Sequence, residues 1–302
     1  MLTFDDLKQV YTSCKALRGG KNASYIPALA KVDPTIYAIS ICAVDGTTHN
    51  IGDYDVTVAI ESVSKVFNLA YALKQLGPDT LKHSIGEEHS LLAFDSLKAA
   101  NNSRTHTMNS FSNGGAMATL SLVYTPNQKT FKKNMEDNLH AFAGQRLTLN
   151  TQVYESEMSH LEHNLALAYT MEAYKRFYGD ILKTVTLYTH LCSKNVTTVQ
   201  LAAMAATLAN GGVQPQTKER VMPSTCVPYV LKQMHINGLY QESPSWWEHV
   251  GLPGKSGVGG LIIIVVPGKM GIAILSPPLN RFGNSFKGVK TAYKLAPFLH
   301  GS

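Results

Sequence analysis

The chain has 302 residues, of which 44% are hydrophobic and 16% charged. This balance is typical of a folded globular enzyme and excludes a disordered or fibrous chain. The formal net charge of +6 would suit an anionic partner, but no dense Lys/Arg cluster with interleaved aromatic side chains is present, so we expect no nucleic-acid partner. The densest basic run, "KTFKKN" at 129–134, is interpreted as a solvated helix face or loop.

The first twenty residues predict an amphipathic helix that ends at Gly19 and Gly20. They lack the basic start and the continuous apolar run of an export signal, so we expect neither export nor a membrane partner. The four cysteines are widely spaced: Cys14, Cys42, Cys192 and Cys226. Without a C-x-x-C pair they indicate reduced thiols in a cytoplasmic protein.

Strand patterns lie near both ends of the chain. "IYAISICAVDG" (36–46) closes with an Asp-Gly hairpin signal, and "THNIGDYDVTVAI" after it offers a second short strand. Late in the chain, "GLIIIVVPGKMGIAILSPPLN" predicts two apolar strands around a Pro-Gly-Lys turn, and "GNSFKGVKTAYKLAPFLH" predicts a closing helix. Since strands at both ends must pair in space, the chain ends are expected to share one sheet.

Helical periodicity dominates the middle of the chain up to about residue 220. "SEMSHLEHNLALAYTMEAYKRF" and "TTVQLAAMAATLANGG" carry apolar residues at three- and four-residue intervals, and the second ends in a Gly pair. We therefore predict an α+β protein with one domain, 1–302. Its sheet lobe would span about 20–62 and 222–302, its helical lobe about 63–221, and the cleft between them would be the ligand site.

Ser62 and Lys65 stand three residues apart at the start of an apolar helical pattern. Residues i and i+3 share a helix face, so Lys65 could remove the proton of a Ser62 nucleophile if burial or a second cation kept the amine neutral. Lys255 is a candidate for that second cation. The alternative is an ordinary helix start with Ser62 or Ser64 as the N-cap.

A second element, Lys255-Ser256-Gly257, begins a late apolar strand. S-x-x-K on an early helix and K-[ST]-G on a late strand is the order of the penicillin-recognising serine enzymes. Those enzymes also carry S-x-N between the two, but here Phe111 stands where the serine should be, two residues before Asn113. The third motif of those enzymes is therefore broken in this chain.

Many segments, in order, resemble those of the serine-dependent glutaminases. They include "GDYDVTVAIESVSKVF", "MNSFSNGGAMATL", "LYTHLCSKNVTTVQLAAMAATLANGGVQP" and "VGLPGKSGVGGLIIIVVPGKMGIAILSPPLNRFGNSFKG". The likeness covers most of residues 20–290, and the chain is identified as a member of that family. The resemblance implies a β-lactamase/DD-peptidase-like fold, in which an antiparallel sheet is flanked by helices and joined by an inserted all-α lobe.

The resemblance implies hydrolysis of L-glutamine to L-glutamate and ammonia. Ser62 would be the nucleophile and Lys65 its base, and the N–H groups of Ser62 and Val258 would form the oxyanion hole. Tyr188 would relay a proton to the departing ammonia. Lys255 and Ser256 would support the site. The family is further expected to form homodimers or homotetramers.

The family pattern assigns substrate binding to five further residues: Tyr25, Asn113, Glu157, Asn164 and Tyr240. A carboxylate facing the ammonium, with amide and phenol groups around the other charge, would select a free amino acid. Each position has an ordinary alternative. Glu157 and Asn164 could be polar residues on one exposed helix face, and the tyrosines could be core residues among 14. No His or Cys spacing typical of a metal site occurs, so we expect neither metal nor cofactor.

The chain departs from the family pattern beside the expected site. The loop "GEEHSLLAFDSLKAANNSRTHTMNS" is rewritten, Ser110 replaces a proline, and His163 and Thr170 stand where Arg and Tyr are more usual. Loss of the proline predicts a more mobile loop. Two alternatives to an active glutaminase follow: a weakened homologue that binds glutamine or a partner without turnover, and a β-lactamase-like serine hydrolase.

Overall fold

The structure, a computed structural model, describes residues 3–300; the first two and last two residues of the predicted domain lie outside it. The strands are β1 Ala38–Ala43, β2 Thr48–Gly52, β3 Val58–Ala59, β4 Asn195–Val196, β5 Gly254–Gly257, β6 Leu261–Val266 and β7 Met270–Leu275. The helices are α1 Phe4–Lys15, α2 Pro27–Ala30, α3 Ser64–Ser84, α4 Leu97–Asn102, α5 Asn113–Leu122, α6 Gln128–Ala143, α7 Thr151–Met158, α8 Glu162–Ala173, α9 Ile181–Cys192, α10 Thr198–Ala209, α11 Val227–Asn237, α12 Ser243–Val250 and α13 Phe286–His300.

The main sheet has five antiparallel strands in the order β2-β1-β7-β6-β5. β1, from near the start of the chain, pairs with β7, so that Ile41 lies opposite Ile272. A smaller two-stranded sheet joins β3 to β4. The strands predicted at both ends of the chain therefore share one sheet, and the predicted α+β class is confirmed.

Alternate residues of the central strands enter two different cores. On β6, Ile262 and Ile264 pack with residues of α1, α12 and α13. Ile263 and Val265 point the other way, into the larger core formed with the middle helices. Because both faces of β6 are covered, it is apolar at every position instead of alternating.

α10 lies directly against the sheet through a close backbone contact. A Cβ at Gly271 of β7 would come within 2.2 Å of the Ala206 nitrogen and 2.4 Å of the Ala202 oxygen. Only glycine fits at this contact, and the small side chains of "LAAMAATLA" allow the helix to approach. This packing fixes the helical part of the chain onto the sheet.

A buried ion cluster connects α6 to the end of α9. The Glu136 Oε1 atom accepts hydrogen bonds from His190 Nε2 at 2.7 Å and from Lys194 Nζ at 2.5 Å. The Lys194 carbonyl in turn accepts from the N–H of Ile60, at 2.8 Å. The cluster thus supports both α9 and the segment that leads to residue 62.

Two predicted helix boundaries are wrong. α1 ends at Lys15, not at the glycines: the N–H of Leu17 bonds to the Cys14 carbonyl, three residues back, instead of continuing the helical pattern, and the Arg18 side chain donates to the Lys15 carbonyl that this leaves free. The predicted helix around 156–177 is two helices, α7 and α8. At the break the side chains of Ser159 and His160 both bond the Ser156 carbonyl, in competition with the helix backbone.

The basic run and the cysteines agree with expectation. Lys129, Lys132 and Lys133 are exposed on α6, which confirms the solvated helix face. All four cysteines are free and buried. No helix within residues 3–300 has the length and apolar character that crossing a bilayer requires.

Candidate active site

A cavity of about 280 Å³ lies between the end of β5 and the helices α5, α7, α8 and α9. Its volume is just below the roughly 300–1,000 Å³ of drug-sized ligand sites, as suits a small metabolite. Seven of the eleven predicted site residues line it: Tyr25, Ser62, Asn113, Glu157, Asn164, Tyr188 and Val258. The other four are buried and do not belong to its lining: Lys65, Tyr240, Lys255 and Ser256.

Ser62 lies in a 3-10 turn, Glu61–Val63, that leads directly into α3. Neither Ser62 nor Ser64 caps a helix with its side chain, so the interpretation as an ordinary N-cap is wrong. Gly257 allows the end of β5 to approach this turn, since a Cβ there would lie 3.1 Å from the Ile60 oxygen. The close approach brings Ser62 and Val258 to the same cavity.

The backbone N–H groups of Ser62 and Val258 are unpaired. Among residues 3–300, the structure records no hydrogen bond from either group to a protein acceptor. Ser62 and Val258 are each only 6% exposed. Two such donors at one cavity can both donate hydrogen bonds to a negatively charged oxygen placed there.

Lys65 lies one helical turn after Ser62 and is 1% exposed. Burial lowers the pKa of its amine to about 8. The Nζ atom donates to the Phe111 carbonyl at 3.1 Å and to the Asn113 Oδ1 at 2.7 Å. A neutral amine has two N–H groups and one lone pair, so these two bonds leave the lone pair free to accept a proton. Within the described part of the chain, the structure records no direct hydrogen bond between the Lys65 amine and the Ser62 hydroxyl.

Asn113 connects three helices around the cavity. It begins α5, whose N-cap is the Ser112 hydroxyl. Its side chain accepts from Lys65 on α3, donates to the Asn164 Oδ1 on α8 at 3.4 Å, and accepts from the Tyr188 hydroxyl on α9 at 3.4 Å. Tyr188 is buried, which raises its pKa well above the ordinary value and keeps the phenol protonated. These contacts bring the predicted residues into one polar network.

Glu157 and Asn164 lie on separate helices, α7 and α8, and not on one face of a single helix. The bend at 159–161 turns both side chains toward the same cavity. The interpretation as one exposed polar face is therefore wrong. The resemblance placed these residues in the site, whereas their helical spacing did not.

Lys255 and Ser256 belong to the wall behind the cavity. The Lys255 Nζ donates to the Ser256 carbonyl at 2.5 Å and lies 4.2 Å from the centroid of the Tyr240 ring. Burial, and then the charge of Lys65, lowers the Lys255 pKa well below its ordinary value. Burial is likewise the leading cause of the lowered Lys65 pKa, so Lys65 does not depend mainly on the second cation that the sequence suggested.

Ser256 and Tyr240 are held by buried hydrogen bonds. The Ser256 Oγ donates to the Asn284 Oδ1 at 2.5 Å, which directs it away from the cavity. The Tyr240 hydroxyl donates to the Ser256 carbonyl at 3.5 Å, and its ring packs on Phe94 with centroids 4.4 Å apart. Burial raises the pKa of Tyr240, and a hydrogen bond with the Ser62 side chain opposes that rise. Tyr240 thus contacts the Ser62 side chain without lining the cavity.

Sequence reasoning missed Glu61, which lines the cavity beside Ser62 and is 3% exposed. Its carboxyl interacts with that of Glu157, which lines the same cavity. Burial, followed by the charge of Glu157, raises the Glu61 pKa well above its ordinary value. A signal was present, because Glu61 is the one acidic residue in "AIESVSKVFNLAYAL" and directly precedes Ser62.

The rewritten loop also reaches the cavity, through Phe94 and Asp95. His163, another departure from the family pattern, donates from Nε2 to the Asp95 carbonyl at 2.7 Å. His163 and the rewritten loop, which both differ from the family pattern, thus contact each other at the mouth of the cavity. Ser110, in place of proline, is 1% exposed and accepts from the Thr119 hydroxyl at 3.2 Å.

Comparison with known proteins shows which family the chain resembles. A family model described as Glutaminase matches residues 20–301. The chain is 41% identical to glutaminase 1 of Shigella flexneri, over 95% of this chain and 93% of that protein. It is 42% identical to the glutaminase of Colwellia psychrerythraea, over 94% of this chain and 91% of that protein. The solved structure of the probable glutaminase ybaS superposes with a TM-score of 0.95 at 40% identity, covering 97% of this chain and 95% of that one. A structure of Mglu in its glutamate form superposes with a TM-score of 0.92 at 32% sequence identity, covering 100% of this chain and 71% of that one.

The fold thus agrees with the β-lactamase-like fold. The chain belongs to the glutaminase family.

Proposed function

We propose that this protein is a glutaminase, which hydrolyses L-glutamine to L-glutamate and ammonia through a serine acyl-enzyme. The observation that carries the proposal is the pairing of a cavity-lining hydroxyl, Ser62, with a buried amine one helical turn away whose pKa is lowered to about 8. Family membership and the neighbour solved in its glutamate form support it.

In the proposed reaction, the Ser62 oxygen attacks the side-chain amide carbon of glutamine while Lys65 accepts the hydroxyl proton. The unpaired N–H groups of Ser62 and Val258 stabilise the oxyanion, each contributing about 3 kcal/mol by analogy with other acyl-transfer sites. Collapse of this intermediate breaks the C–N bond, and the nitrogen takes the proton back as ammonia leaves, with Tyr188 as the relay. A water molecule then repeats the sequence on the ester and releases glutamate.

Direct transfer from Ser62 to Lys65 requires a small movement on substrate binding, because the two groups are not hydrogen-bonded in the free protein. Catalytic hydrogen bonds commonly tighten only in the complex. The bonds that hold Lys65, to Phe111 and Asn113, leave its lone pair available for this step.

Substrate binding is proposed to use the polar groups around the same cavity. Glu157 receives the α-ammonium, and Asn113 and Asn164 bind the carboxylate. Tyr25 closes the outer wall with a side chain that is 60% exposed in the free protein, and Tyr240 contacts the reacting serine. A site that pairs a buried carboxylate with the ammonium favours the free amino acid over a peptide.

We also propose that Lys255 and Ser256 support the site without contacting substrate, since neither lines the cavity. The same family resemblance leads us to propose a single domain over residues 1–302 and a homodimer or homotetramer. The free, buried cysteines support a cytoplasmic location.

The rewritten loop favours one alternative, a weakened homologue that binds without turnover, because Phe94 and Asp95 enter the cavity from that loop. Calorimetry that detects glutamine binding without ammonia production would support this alternative. For the β-lactamase-like alternative, the position of the missing motif serine is a fully buried Phe111, and hydrolysis of a chromogenic cephalosporin is the test.

The proposed nucleophile is tested with Ser62→Ala, for which we expect loss of ammonia release by at least about 1,000-fold, as for other removed nucleophiles. The matched control is Ser64→Ala, which alters a buried serine in the same segment that does not line the cavity and should retain activity within tenfold. Ammonia release by Ser62→Ala at the wild-type rate would refute the mechanism.

A further inference from the structure

Glu61 has an unusual backbone conformation beside Ser62. Its φ is +51°, in the left-handed region that residues with long side chains rarely adopt. Two glycines lie against it: a Cβ at Gly257 would lie 3.4 Å from the Glu61 Cβ, and one at Gly259 would lie 3.4 Å from its Cγ. Strain kept in a cavity wall beside the nucleophile indicates a functional constraint on this side chain.

The Glu61 and Glu157 side chains both line the cavity, and their carboxyls interact with each other there. Two ionised carboxylates repel, so an interacting pair in a buried wall favours one shared proton. The Glu61 Oε1 atom is buried and has no hydrogen-bond donor among the described residues. The pair therefore has unused acceptor capacity in the wall of a cavity that fits an amino acid.

Lys65 is the cation that faces this pair, and it is already bonded to Phe111 and Asn113. The other titratable groups that interact with the two carboxyls, or line the cavity with them, are Tyr25, Asp95, His160, His163, Tyr188, Cys192 and Tyr240. Burial keeps Tyr188 and Tyr240 protonated and raises the pKa of Cys192 to about 12. His160 and His163 are exposed at the mouth.

We propose that Glu61 is a second carboxyl for the α-ammonium of glutamine, and that the Glu61–Glu157 pair holds one proton in the free protein and releases it to solvent when the substrate binds. This inference rests on the proposed function. Charge balances: the singly protonated pair carries −1, and after proton release the doubly ionised pair with the bound ammonium also carries −1. Binding thus exchanges a proton for an ammonium without adding net charge to the cavity.

The exchange makes binding depend on pH. While the free pair holds its proton, each unit of decrease in pH raises the dissociation constant of glutamine tenfold, because one proton is displaced per molecule bound. Above the pH at which the free pair loses its proton, affinity becomes independent of this step.

The measurement is titration calorimetry of L-glutamine into Ser62→Ala, which blocks turnover, in two buffers with different enthalpies of ionisation. We expect release approaching one proton per glutamine on the acidic side and a tenfold change in affinity per pH unit. In the double variant Ser62→Ala/Glu61→Gln, proton release should fall near zero. The amide that takes the place of the Glu61 carboxyl donates its own N–H to an ionised Glu157, so the pair no longer holds a proton that glutamine could displace. The matched control, Glu155→Gln, alters an exposed carboxyl on the same helix as Glu157 and should leave the release unchanged.

The outcomes separate this inference from the proposed function. Absence of glutamine binding to Ser62→Ala, together with absence of ammonia release by the wild type, overturns the function itself. Binding without proton release overturns only the shared proton. Release that persists in Glu61→Gln assigns the proton to another group and also overturns the inference. If Glu61→Gln does not fold, as judged by circular dichroism, Glu157→Gln tests the same exchange from the other carboxyl, with the same expected loss.

Discussion

Glu136→Gln removes the carboxylate that joins α6 to His190 and Lys194. The side chains of His190 and Lys194 are only 8% and 5% exposed, so the substitution leaves a buried ammonium without its anion. The amide keeps the size of the side chain but not its charge. We therefore expect a loss of stability that comes from electrostatics and not from packing.

The magnitude follows from the Glu136 pKa. Burial acts to raise it, but the hydrogen bonds from Lys194 and His190 outweigh burial and lower the pKa from the ordinary 4.5 to about 2. At about 1.36 kcal/mol per pKa unit, this difference is worth about 3 kcal/mol. Solvent screening of a carboxylate that is 22% exposed reduces the expectation to about 2 kcal/mol.

The assay is urea unfolding of wild type and Glu136→Gln between pH 7 and pH 2. Because the folded-state pKa is depressed, the stabilisation is fully present above about pH 4.5 and is lost as the pH falls toward 2. The variant should be less stable by about 2 kcal/mol at pH 7, and the difference should shrink through that window. The control is Asp137→Asn, which breaks the exposed ion pair with Lys133 on the same helix and should cost under about 1 kcal/mol.

A difference between wild type and Glu136→Gln that stays constant from pH 7 to pH 2 would refute this reasoning, because it would mean that the cost is structural. Equal losses in Glu136→Gln and Asp137→Asn would refute it as well, since burial is what distinguishes the two carboxylates.

The pH profile of kcat/KM should rise about tenfold per pH unit below about pH 8 and then level off, because Lys65 must be neutral to act as a base and burial lowers its pKa to about 8. Wherever the free Glu61–Glu157 pair also holds its proton, the rise should be steeper than tenfold; a profile that is flat from pH 6 to 9 would contradict the role of Lys65. Gly115→Ala should lose about 1–3 kcal/mol of unfolding free energy, because a Cβ there would lie 1.9 Å from the Asn109 carbonyl oxygen. The adjacent Gly114→Ala meets only the flexible end of Met171, at 3.2 Å, and should be nearly neutral in the same thermal or urea unfolding measurement; equal effects of the two substitutions would refute the steric argument.

Much of the sheet could be predicted from local patterns. The apolar run of β6 and the Pro-Gly-Lys turn before β7 are signals that neighbouring residues carry, and the structure confirms both strands. The end of α1 could not be predicted in this way, because the chain turns there before it reaches a glycine, with the N–H of Leu17 bonded to the Cys14 carbonyl and the Arg18 side chain bonded to the Lys15 carbonyl. Similar competition by Ser159 separates α7 from α8.

The candidate site likewise has one part that local sequence spacing predicts and one part that it does not. Ser62 and Lys65 are three residues apart, so their relation is visible in the sequence. The relation of Glu61 to Glu157 depends on a contact between a turn and a helix far apart in the chain, and local periodicity contains no trace of it. Glu61, with its left-handed backbone, lies against Gly257 of β5, a contact that only the assembled sheet provides.

The pairing of Ile41 with Ile272 has a consequence for synthesis on the ribosome. About 230 residues separate the partners, and at roughly 5–20 residues per second their translation takes on the order of tens of seconds. During that interval the edge of β1 that will receive β7 has no partner, and the strand that brings Val258 to the serine has not yet emerged. A nascent chain of this protein therefore cannot complete its sheet or its cavity until its final fifth leaves the exit tunnel, and the unpaired edge of β1 is open to wrong pairing until then.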